Sequence, residues 1–180
     1  MIFEPFKPFV ASGFQVKYAT EDWERRGAAR LRREVFCEEQ GVFADDDRDE
    51  IDEIAIPIVA VSLWGVVADD VVGTVRIHEA EPGLWWGSRL AVAPDYRRIG
   101  ALGASLIKLA VSSAHARGCT KFLANVQSQN ALLFRRMHWK TLHEFDLHGR
   151  AHHHMEADLA WYPPIMDAET GFHAVSRKAA

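Results

Sequence analysis

The sequence predicts a single α/β domain built on one mixed β-sheet with helices on both faces. The chain has 180 residues, a length typical of one domain. Hydrophobic residues make up 48% of it and charged residues 26%, which is the composition of an ordinary globular protein. Strand-like and helix-like segments alternate along it, as in sheets covered by helices. We expect an extended lead-in over 1–12, the domain over 13–162 and a tail over 163–180.

The first half of the chain predicts a strand, a helix and a meander of three strands. The strand is expected over Gly13–Ala19, and Thr20 can cap a helix that runs to about Glu39, with Gly41 as its stop. The meander follows as apolar or alternating runs that are separated by turn residues. Its strands are expected at Ile56–Leu63, Val71–His78 and Leu84–Val92.

The second half predicts a long helix, a strand, a shorter helix and a closing hairpin. The long helix is expected to begin in the glycine-containing turn near Gly100 and to end at about Arg117, where Gly118 suits a C-terminal cap. The remaining elements are a strand over Lys121–Val126, a helix over Asn130–Met137, and hairpin strands over Leu142–Leu147 and Ala151–Leu159.

Composition and charge argue against several classes of function. The net charge of −4 differs from the basic balance of nucleic-acid-binding domains. The most apolar stretch, Ile54–Ala68, is too short to span a membrane, and the first residues lack the pattern of a signal peptide. The two cysteines show no metal-type spacing. We therefore expect a cytoplasmic protein that binds a small molecule and neither nucleic acid, membranes nor a structural metal.

A basic turn at the start of the long helix is the strongest candidate site. Arg97 and Arg98 precede Gly100 and Gly103. A helix N-terminus offers unpaired N–H groups and a positive dipole end, glycines admit close approach, and arginines add charge, which together favour a phosphate. The turn matches neither the dinucleotide-binding G-x-G-x-x-G nor a Walker loop. Local pattern alone leaves a plain helix start with two solvated arginines as an equal alternative.

Two segments carry a resemblance to a known family. Arg89–Gly103, RLAVAPDYRRIGALG, resembles the acetyl-CoA motif of the GNAT superfamily of N-acetyltransferases, although Leu102 stands where a second small residue is usual. Asn130–Trp139, NALLFRRMHW, is similar to the second signature of that superfamily. Shorter segments such as FCEEQGVF and VVGTVRIHE look like a branch found in bacterial gene clusters associated with nitrogen starvation.

The resemblance implies a fold and a cosubstrate. The fold is a GNAT-like, mostly antiparallel, twisted sheet of six to seven strands with about four helices on both faces. The cosubstrate is acetyl-CoA, whose acetyl group passes directly to the amine of a small molecule; a homodimer is also implied as an option. A backbone N–H of the motif strand polarises the thioester carbonyl. The implied cosubstrate residues are Leu90, Ala91, Val92, Arg97, Arg98, Ile99, Gly100, Ala101, Leu102, Gly103, Asn130 and Phe134.

The chemistry of that reaction calls for a base and tolerates a missing acid. An alkyl amine of pKa ~10.4 is mostly protonated at neutral pH, so a base is useful. The candidates are Glu79, His78, Glu39 and Glu50, with Glu79 first because it ends the strand beside the thioester strand. Many relatives protonate the leaving thiolate with a tyrosine at the position of Phe134, which has no proton to give. Water or Tyr96 is the expected replacement.

Three further features have a functional and a structural interpretation. The acidic run Asp45–Glu53 either attracts a cationic amine or is a solvated loop. His152–His154 either forms the rim of the acceptor site or, less favourably, binds metal with His148 or His143. Of the neighbours Trp85 and Trp86, which point to opposite faces of a strand, one is expected in the core and the other in the acceptor pocket.

Two alternative functions stay open at this point. The first is a catalytically weak acyl-CoA-binding regulatory module of the same fold, which the phenylalanine at position 134 suggests. The second is an enzyme similar to acyl-homoserine-lactone synthases, which the helix followed by an acidic segment over Arg32–Asp52 suggests.

Overall fold

The computed structural model describes residues 9–98 and 100–176. The three α-helices of this part of the chain are α1 (Asp22–Arg32), α2 (Gly100–Ala116) and α3 (Ala131–Arg136). The strands are β1 (Gly13–Tyr18), β2 (Ile56–Trp64), β3 (Val67–Glu81), β4 (Leu84–Val92), β5 (Lys121–Gln127), β6 (Trp139–Leu147), β7 (Arg150–Ala157) and β8 (Phe172–Val175). None of the described helices is both long and apolar enough to cross a membrane.

The eight strands form one mixed sheet in the order β6-β7-β5-β4-β3-β2-β1-β8. All neighbours are antiparallel except β4 and β5, which are parallel, so the predicted mixed and mostly antiparallel sheet is confirmed. The strand count exceeds six to seven because Phe172–Val175, in the expected tail, pairs with β1. The described chain has three α-helices rather than about four, since Arg33–Glu39 continues α1 as a π-helix.

The start of α1 differs from the expectation that Thr20 caps it. The N-cap is Glu21, and the carboxylate of Glu24 accepts hydrogen bonds from the backbone N–H groups of Thr20 and Glu21 at 2.8 and 3.1 Å. The Thr20 hydroxyl instead accepts a hydrogen bond from the Lys17 ammonium at 2.7 Å. A nearby cation therefore takes the group that would otherwise cap the helix. The predicted stop is confirmed by Gly41, which has a φ of 61°.

Helices α1 and α2 cover opposite faces of the sheet, which we call the α1 face and the α2 face. The α2 face carries most of the core, where Leu102, Leu106 and Leu109 are fully buried. Gly73 of β3 lies beneath α2, and a Cβ there would lie 2.5 Å from Cδ2 of Leu102. The missing side chain lets α2 approach β3 closely.

The parallel pair β4 and β5 separates partway along its length. The two strands pair only over Leu84–Gly87 and Lys121–Ala124. Beyond Gly87, β4 keeps β3 as its neighbour and β5 keeps β7. Arg89 has a φ of 56°, and the register against β3 shifts there, so β4 carries a bulge at the point of separation. We call the opening the β4–β5 gap.

Candidate active site

A cavity of about 450 Å³ occupies the β4–β5 gap, a volume within the usual range of small-molecule sites. Strand alternation places its lining on both faces of the sheet. On the α2 face the lining is apolar and continuous with the core: Val75, Leu90, Ile107, Ala110, Phe122, Ala124, Val126 and Phe134. On the α1 face it is polar and aromatic: Arg76, His78, Trp86, Ser88, Asn125 and Gln127.

A roof covers the α1 side of the cavity. It consists of the end of the π-helix, the loop after it and the turn between β6 and β7. The ring of Phe43 from the loop meets the ring of His148 from the turn edge-on at 5.2 Å. The residues of the roof that line the cavity are Phe36, Gln40, Val42, Phe43, Leu147, His148 and Arg150. The gap therefore has an apolar side toward α2 and an amphipathic chamber toward α1.

The expected cosubstrate residues fall into three groups. Leu90, Asn130 and Phe134 line the cavity. Ala91 and Val92 lie on β4 beyond the separation point, opposite Thr74 and Gly73 of β3. The rest lie at the start of α2, except Ile99, which falls outside the described residues; the described members are Arg97, Arg98, Gly100, Ala101, Leu102 and Gly103.

Leu102 occupies its unusual position without disturbing the helix start. Its side chain is fully buried and packs over Gly73, which has no Cβ to oppose it. The side chain therefore points away from any ligand at the helix terminus. Only the backbone of Leu102 is available to such a ligand.

Arg97 forms an ion pair in this structure. Its guanidinium donates to both carboxylate oxygens of Glu39 at 2.6 and 2.7 Å, and its Nε donates to the carbonyl of Val92 at 3.0 Å. The hydrogen bond from Arg97 lowers the pKa of Glu39 below its ordinary value. Glu39 does not line the cavity, so this candidate base is committed to holding Arg97.

The structure separates His78 from the other candidate bases. Glu79 is exposed, its carboxylate accepts a hydrogen bond from the Gly83 N–H at 2.9 Å, and it is not part of the cavity wall. The reason is register: Glu79 pairs with Trp85, where β4 and β5 are still joined, and alternation turns it away from the α1 face. Glu50 is exposed in a 3₁₀ turn, also outside the cavity wall.

His78 lies in the cavity wall and is not committed through Nδ1 to a hydrogen bond within the described chain. Its Nδ1 is buried and has no hydrogen-bond partner among the described residues. Burial lowers the pKa of His78 below its ordinary value, and the positive charge of Arg76 lowers it further. The imidazole is therefore neutral at neutral pH and can accept a proton.

The two aromatic residues considered for the leaving group, Phe134 and Tyr96, offer it no proton in this structure. Phe134 is 6% exposed, lines the cavity and packs edge-on against Trp139 with ring centroids 5.0 Å apart. The hydroxyl of Tyr96, the expected replacement acid, accepts a hydrogen bond from the Ala11 N–H at 3.0 Å and does not line the cavity. Among the described residues, neither position supplies a proton donor to the cavity.

Three arginines pair with three aspartates of the acidic run Asp45–Glu53, which the sequence left with two interpretations. Arg32 binds Asp47 at 2.7 Å and Asp52 at 2.6 Å. Arg76 binds Asp49 and Asp52, both at 2.7 Å, and Arg89 binds Asp47 at 3.0 Å. Positive and negative side chains alternate in this arginine–aspartate network along one wall of the chamber. Its members are Arg32, Arg76, Arg89, Asp47, Asp49 and Asp52. Asp47, Asp49 and Asp52 are therefore not a free negative field, while Asp45, Asp46, Glu50 and Glu53 are exposed, as the solvated-loop interpretation expects.

Burial and pairing act in opposite directions on Asp52. Burial alone raises the pKa of its carboxyl, but hydrogen bonds from Arg32, the Asp49 N–H and Arg76 outweigh burial and hold that pKa well below its ordinary range. Sequence analysis missed the network because its members lie up to 57 positions apart in the chain, from Arg32 to Arg89.

The histidines and tryptophans of the sequence analysis surround the chamber. Trp85 is buried in the core and Trp86 lines the cavity, as expected. His152 also lines the cavity, and the Nδ1 of His154 lies 2.8 Å from the amide oxygen of Asn125. In the parts of the chain that the structure describes, no three histidine, cysteine or acidic side chains are placed to hold a metal ion.

The sequence matches the model of the acetyltransferase (GNAT) family over residues 19–139. The chain belongs to this family. The match covers α1, the meander, the arginine-bearing turn, α2, β5 and α3. No curated protein matches the chain in a sequence search.

Solved structures share this GNAT fold. A candidate N-acetyltransferase from Lactobacillus plantarum superposes with a TM-score of 0.71 at 21% identity, over 80% of this chain and 97% of that chain. Escherichia coli ElaA gives 0.66 at 17% identity, over 81% and 98%. BjaI, a CoA-dependent acyl-homoserine lactone synthase solved with SAM and isopentyl-CoA, gives 0.62 at 18% identity, over 81% and 83%. At these identities the likeness shows the fold alone.

Proposed function

We propose that this GNAT protein is an acyl-CoA-dependent N-acyltransferase that moves an acetyl group from acetyl-CoA to the amine of a small molecule. The observation that carries the proposal is the β4–β5 gap, because it leaves β4 without a strand neighbour on the side that faces the cavity. Backbone N–H groups of such a strand can donate to a thioester carbonyl, as donors in an oxyanion hole do.

The residues around the gap fit acetyl-CoA. Pantetheine would lie along Leu90, Ala91 and Val92, with Asn130 and Phe134 on its other side. The diphosphate would meet the start of α2, where Arg97, Arg98 and backbone N–H groups over 100–103 supply positive charge and donors. The apolar wall toward α2 would exclude water from the reacting atoms.

The proton of the attacking amine would pass to His78. Acetyl-CoA supplies the thioester, whose C–S bond breaks while the new C–N bond forms and whose electron pair leaves with sulfur. His78 is neutral and lies in the cavity wall, so its imidazole can accept the proton directly or through water. A thiol of pKa ~8.5 leaves tolerably as a thiolate, so water suffices to protonate it where Phe134 cannot.

Three finer assignments are part of the same proposal. Membership of the branch associated with bacterial nitrogen starvation rests on the segments FCEEQGVF and VVGTVRIHE. A cytoplasmic location is consistent with the need for acetyl-CoA. A homodimer is compatible with the fold.

The test is release of free CoA thiol with acetyl-CoA and a broad panel of primary amines, followed by mass spectrometry of the acylated product. We expect thiol release that depends on the amine and is lost in Gly100→Glu, where a carboxylate meets the diphosphate site. Acetyl-CoA binding by calorimetry without turnover on any amine would favour the regulatory module, the alternative that Phe134 supports.

A second arm addresses the lactone-synthase alternative. The π-helix followed by the acidic segment, now seen as part of the arginine–aspartate network, is the observation that favours it. Transfer of an acyl chain to S-adenosylmethionine from acyl-CoA or acyl carrier protein, with no transfer to other amines, would replace the proposed reaction.

A further inference from the structure

We infer that the acceptor amine carries a carboxylate, that Arg150 binds this carboxylate, and that the rest of the acceptor is apolar or aromatic. This inference rests on the proposed function, since it names the class of acceptor for the same cavity. It follows from the charge of the chamber, from the position of Arg150 and from the side chains around it.

Arg150 is the arginine of the chamber that has no acidic partner among the described residues. Its guanidinium makes one hydrogen bond to them, from Nη2 to the backbone carbonyl of Gln40 at 2.9 Å. No described aspartate or glutamate forms an ion pair with it. A half-buried guanidinium with unused N–H groups is a site for an anion.

The other charges in the chamber cancel. Arg76 and Arg89 also line the cavity, but both belong to the arginine–aspartate network, in which three arginines meet three aspartates. The carboxylate in the cavity wall is that of Asp49, and Arg76 donates to both of its oxygens at 2.7 and 2.9 Å. A second ammonium group on the acceptor would find no free carboxylate among the described wall residues. The uncompensated charge is the positive charge of Arg150.

The position of Arg150 assigns the anion to the acceptor rather than to the cosubstrate. Arg150, His152 and His154 alternate onto the same face of β7, and the His154 ring lies 5.4 Å from that of Trp86 on the α1 face. Arg150 lines the cavity together with His78, whereas Arg97 of the proposed diphosphate site pairs with Glu39 and is not part of the cavity wall. An anion bound by Arg150 therefore shares the chamber with His78.

The surrounding structure holds the guanidinium in place. The turn between β6 and β7 consists of His148 and Gly149, both with positive φ, 53° and 73°, so Arg150 is the first residue of β7. Gln40, whose carbonyl accepts the Arg150 hydrogen bond, accepts another at its side-chain oxygen from Gln127 of β5 at 2.9 Å. Because Arg150 is held before binding, less entropy is lost when a carboxylate pairs with it.

The chamber also selects the remainder of the acceptor. Aromatic and apolar side chains form most of its wall between His78 and Arg150: Phe36, Val42, Phe43, Trp86 and Leu147. Burying an apolar or aromatic group against them is favourable. Together these features describe an amino acid or a related amine–carboxylate with an apolar or aromatic body.

The experiment compares matched amines that differ only in the carboxylate: L-phenylalanine with 2-phenylethylamine, L-leucine with 3-methylbutylamine, and 5-aminopentanoate with butylamine. We expect the wild type to prefer a carboxylate-bearing member of at least one pair. Arg150→Met should lower kcat/KM for that member at least about tenfold, mainly through KM, because a charge-assisted pair is lost. The kcat/KM for the decarboxylated member and the KM for acetyl-CoA should each change less than about twofold.

Two variants serve as controls. Arg26→Met removes an exposed arginine of α1 outside the cavity and should leave kcat/KM unchanged for every amine. Arg150→Lys keeps the charge but not the planar fork, and should retain part of the preference. If Arg150→Met does not fold, Arg150→Lys tests the inference in its place, through a partial loss of the preference for the carboxylate-bearing member. Equal losses for both members of a pair, or a wild-type preference for the decarboxylated members, would overturn the inference.

Direct binding separates the failure of this inference from the failure of the proposed function. If no amine is acylated, the proposed function fails, and calorimetry with carboxylates that lack the amine, 3-phenylpropanoate and pentanoate, still tests Arg150. Binding that is present in the wild type and lost in Arg150→Met supports the carboxylate site. No binding, or binding that Arg150→Met leaves intact, refutes it.

Discussion

His78 is the residue at which the proposed mechanism makes its most specific demand. Burial and Arg76 lower the pKa of His78 below 6.5, the ordinary pKa of histidine, so the imidazole stays neutral until the pH falls below 6.5. If it is the base, kcat should fall on the acid side only below that pH. His78→Gln should lower kcat by about 10²-fold, the smaller end of what a general base contributes, and should remove this acid limb.

A matched control lies one position along β3. Glu79 points to the other face and lies outside the cavity wall, so Glu79→Gln should leave both kcat and the shape of the pH profile unchanged. The measurement is the pH dependence of kcat between about pH 5 and 9 for the three proteins. An acid limb that survives in His78→Gln and disappears in Glu79→Gln would reverse the assignment.

Replacing Asp52 should act mainly on the free energy of unfolding of the protein. Asp52 accepts hydrogen bonds from Arg32 and forms an ion pair with Arg76, whose side chain is 2% exposed. Asp52→Asn leaves these guanidiniums with one carboxylate fewer in a buried setting. We expect the free energy of unfolding to fall by about 3 kcal/mol at neutral pH, since Asp47 and Asp49 still pair with the arginines. Asp22→Asn, at an exposed ion pair on α1, should change it by less than about 0.5 kcal/mol.

The same residue gives a pH dependence of known sign. Because the pKa of Asp52 is lowered in the folded protein, its contribution is present above its unfolded pKa of ~4 and is lost as the pH falls toward the lower folded value. The difference between wild type and Asp52→Asn should therefore shrink as the pH falls from about 5 to about 2. Urea unfolding at several pH values measures it. A difference that grows in acid would contradict the pairing.

At the scale of elements, the contact between the π-helix and the start of α2 sets the affinity for the cosubstrate. Arg97 cannot bind a diphosphate while Glu39 occupies its fork. Glu39→Gln should therefore tighten acetyl-CoA binding a few-fold, and Arg97→Met should weaken it about tenfold, the loss of one charge-assisted contact. Calorimetry at two salt concentrations measures both effects. If Glu39→Gln weakens binding as much as Arg97→Met, the ion pair shapes the turn and does not compete with the ligand.

The elements also show how far local pattern predicts this protein. The runs that became β2, β3, β4 and α2 were predictable because each buries apolar residues at strand or helix spacing. Alternation likewise places His78 and Glu79 on opposite faces. Which face meets the reacting atoms depends on where β4 and β5 separate, and no local pattern contains that information. Glu79 ranked first because it ends the strand beside the expected thioester strand, but it pairs with Trp85, where β4 and β5 are still joined.

The other differences between prediction and structure also come from contacts that join distant parts of the chain. The acidic run had no visible partners because Arg32, Arg76 and Arg89 approach it only after the meander has folded. Arg150 gave no signal in a hairpin turn, and it reaches the chamber because β7 inserts between β6 and β5. The strand at Phe172–Val175 is short and gains its stability by pairing with β1.

At the scale of the whole molecule, the fold leaves part of its sheet unfinished. Between Gly87 and Val92 of β4 and over Asn125–Gln127 of β5, a cavity replaces the hydrogen bonds that neighbouring strands would exchange. The chamber walls come from the π-helix, the acidic loop, three central strands and the terminal hairpin, so most of the chain must be folded before the site exists. A ligand that fills the gap should therefore stabilise the entire domain.

That expectation can be measured. At a concentration 100 times its Kd, acetyl-CoA should stabilise the protein by about 2.7 kcal/mol, which corresponds to a rise in Tm of about 5–10 °C for a domain of this size. Hydrogen exchange should slow most at the backbone amides that border the gap in β4 and β5, and should change little in β8 at the far edge of the sheet. Gly100→Glu should abolish both effects. A rise in Tm of equal size in that variant, or protection spread equally to β8, would place the ligand elsewhere and remove the basis for assigning the gap to the thioester.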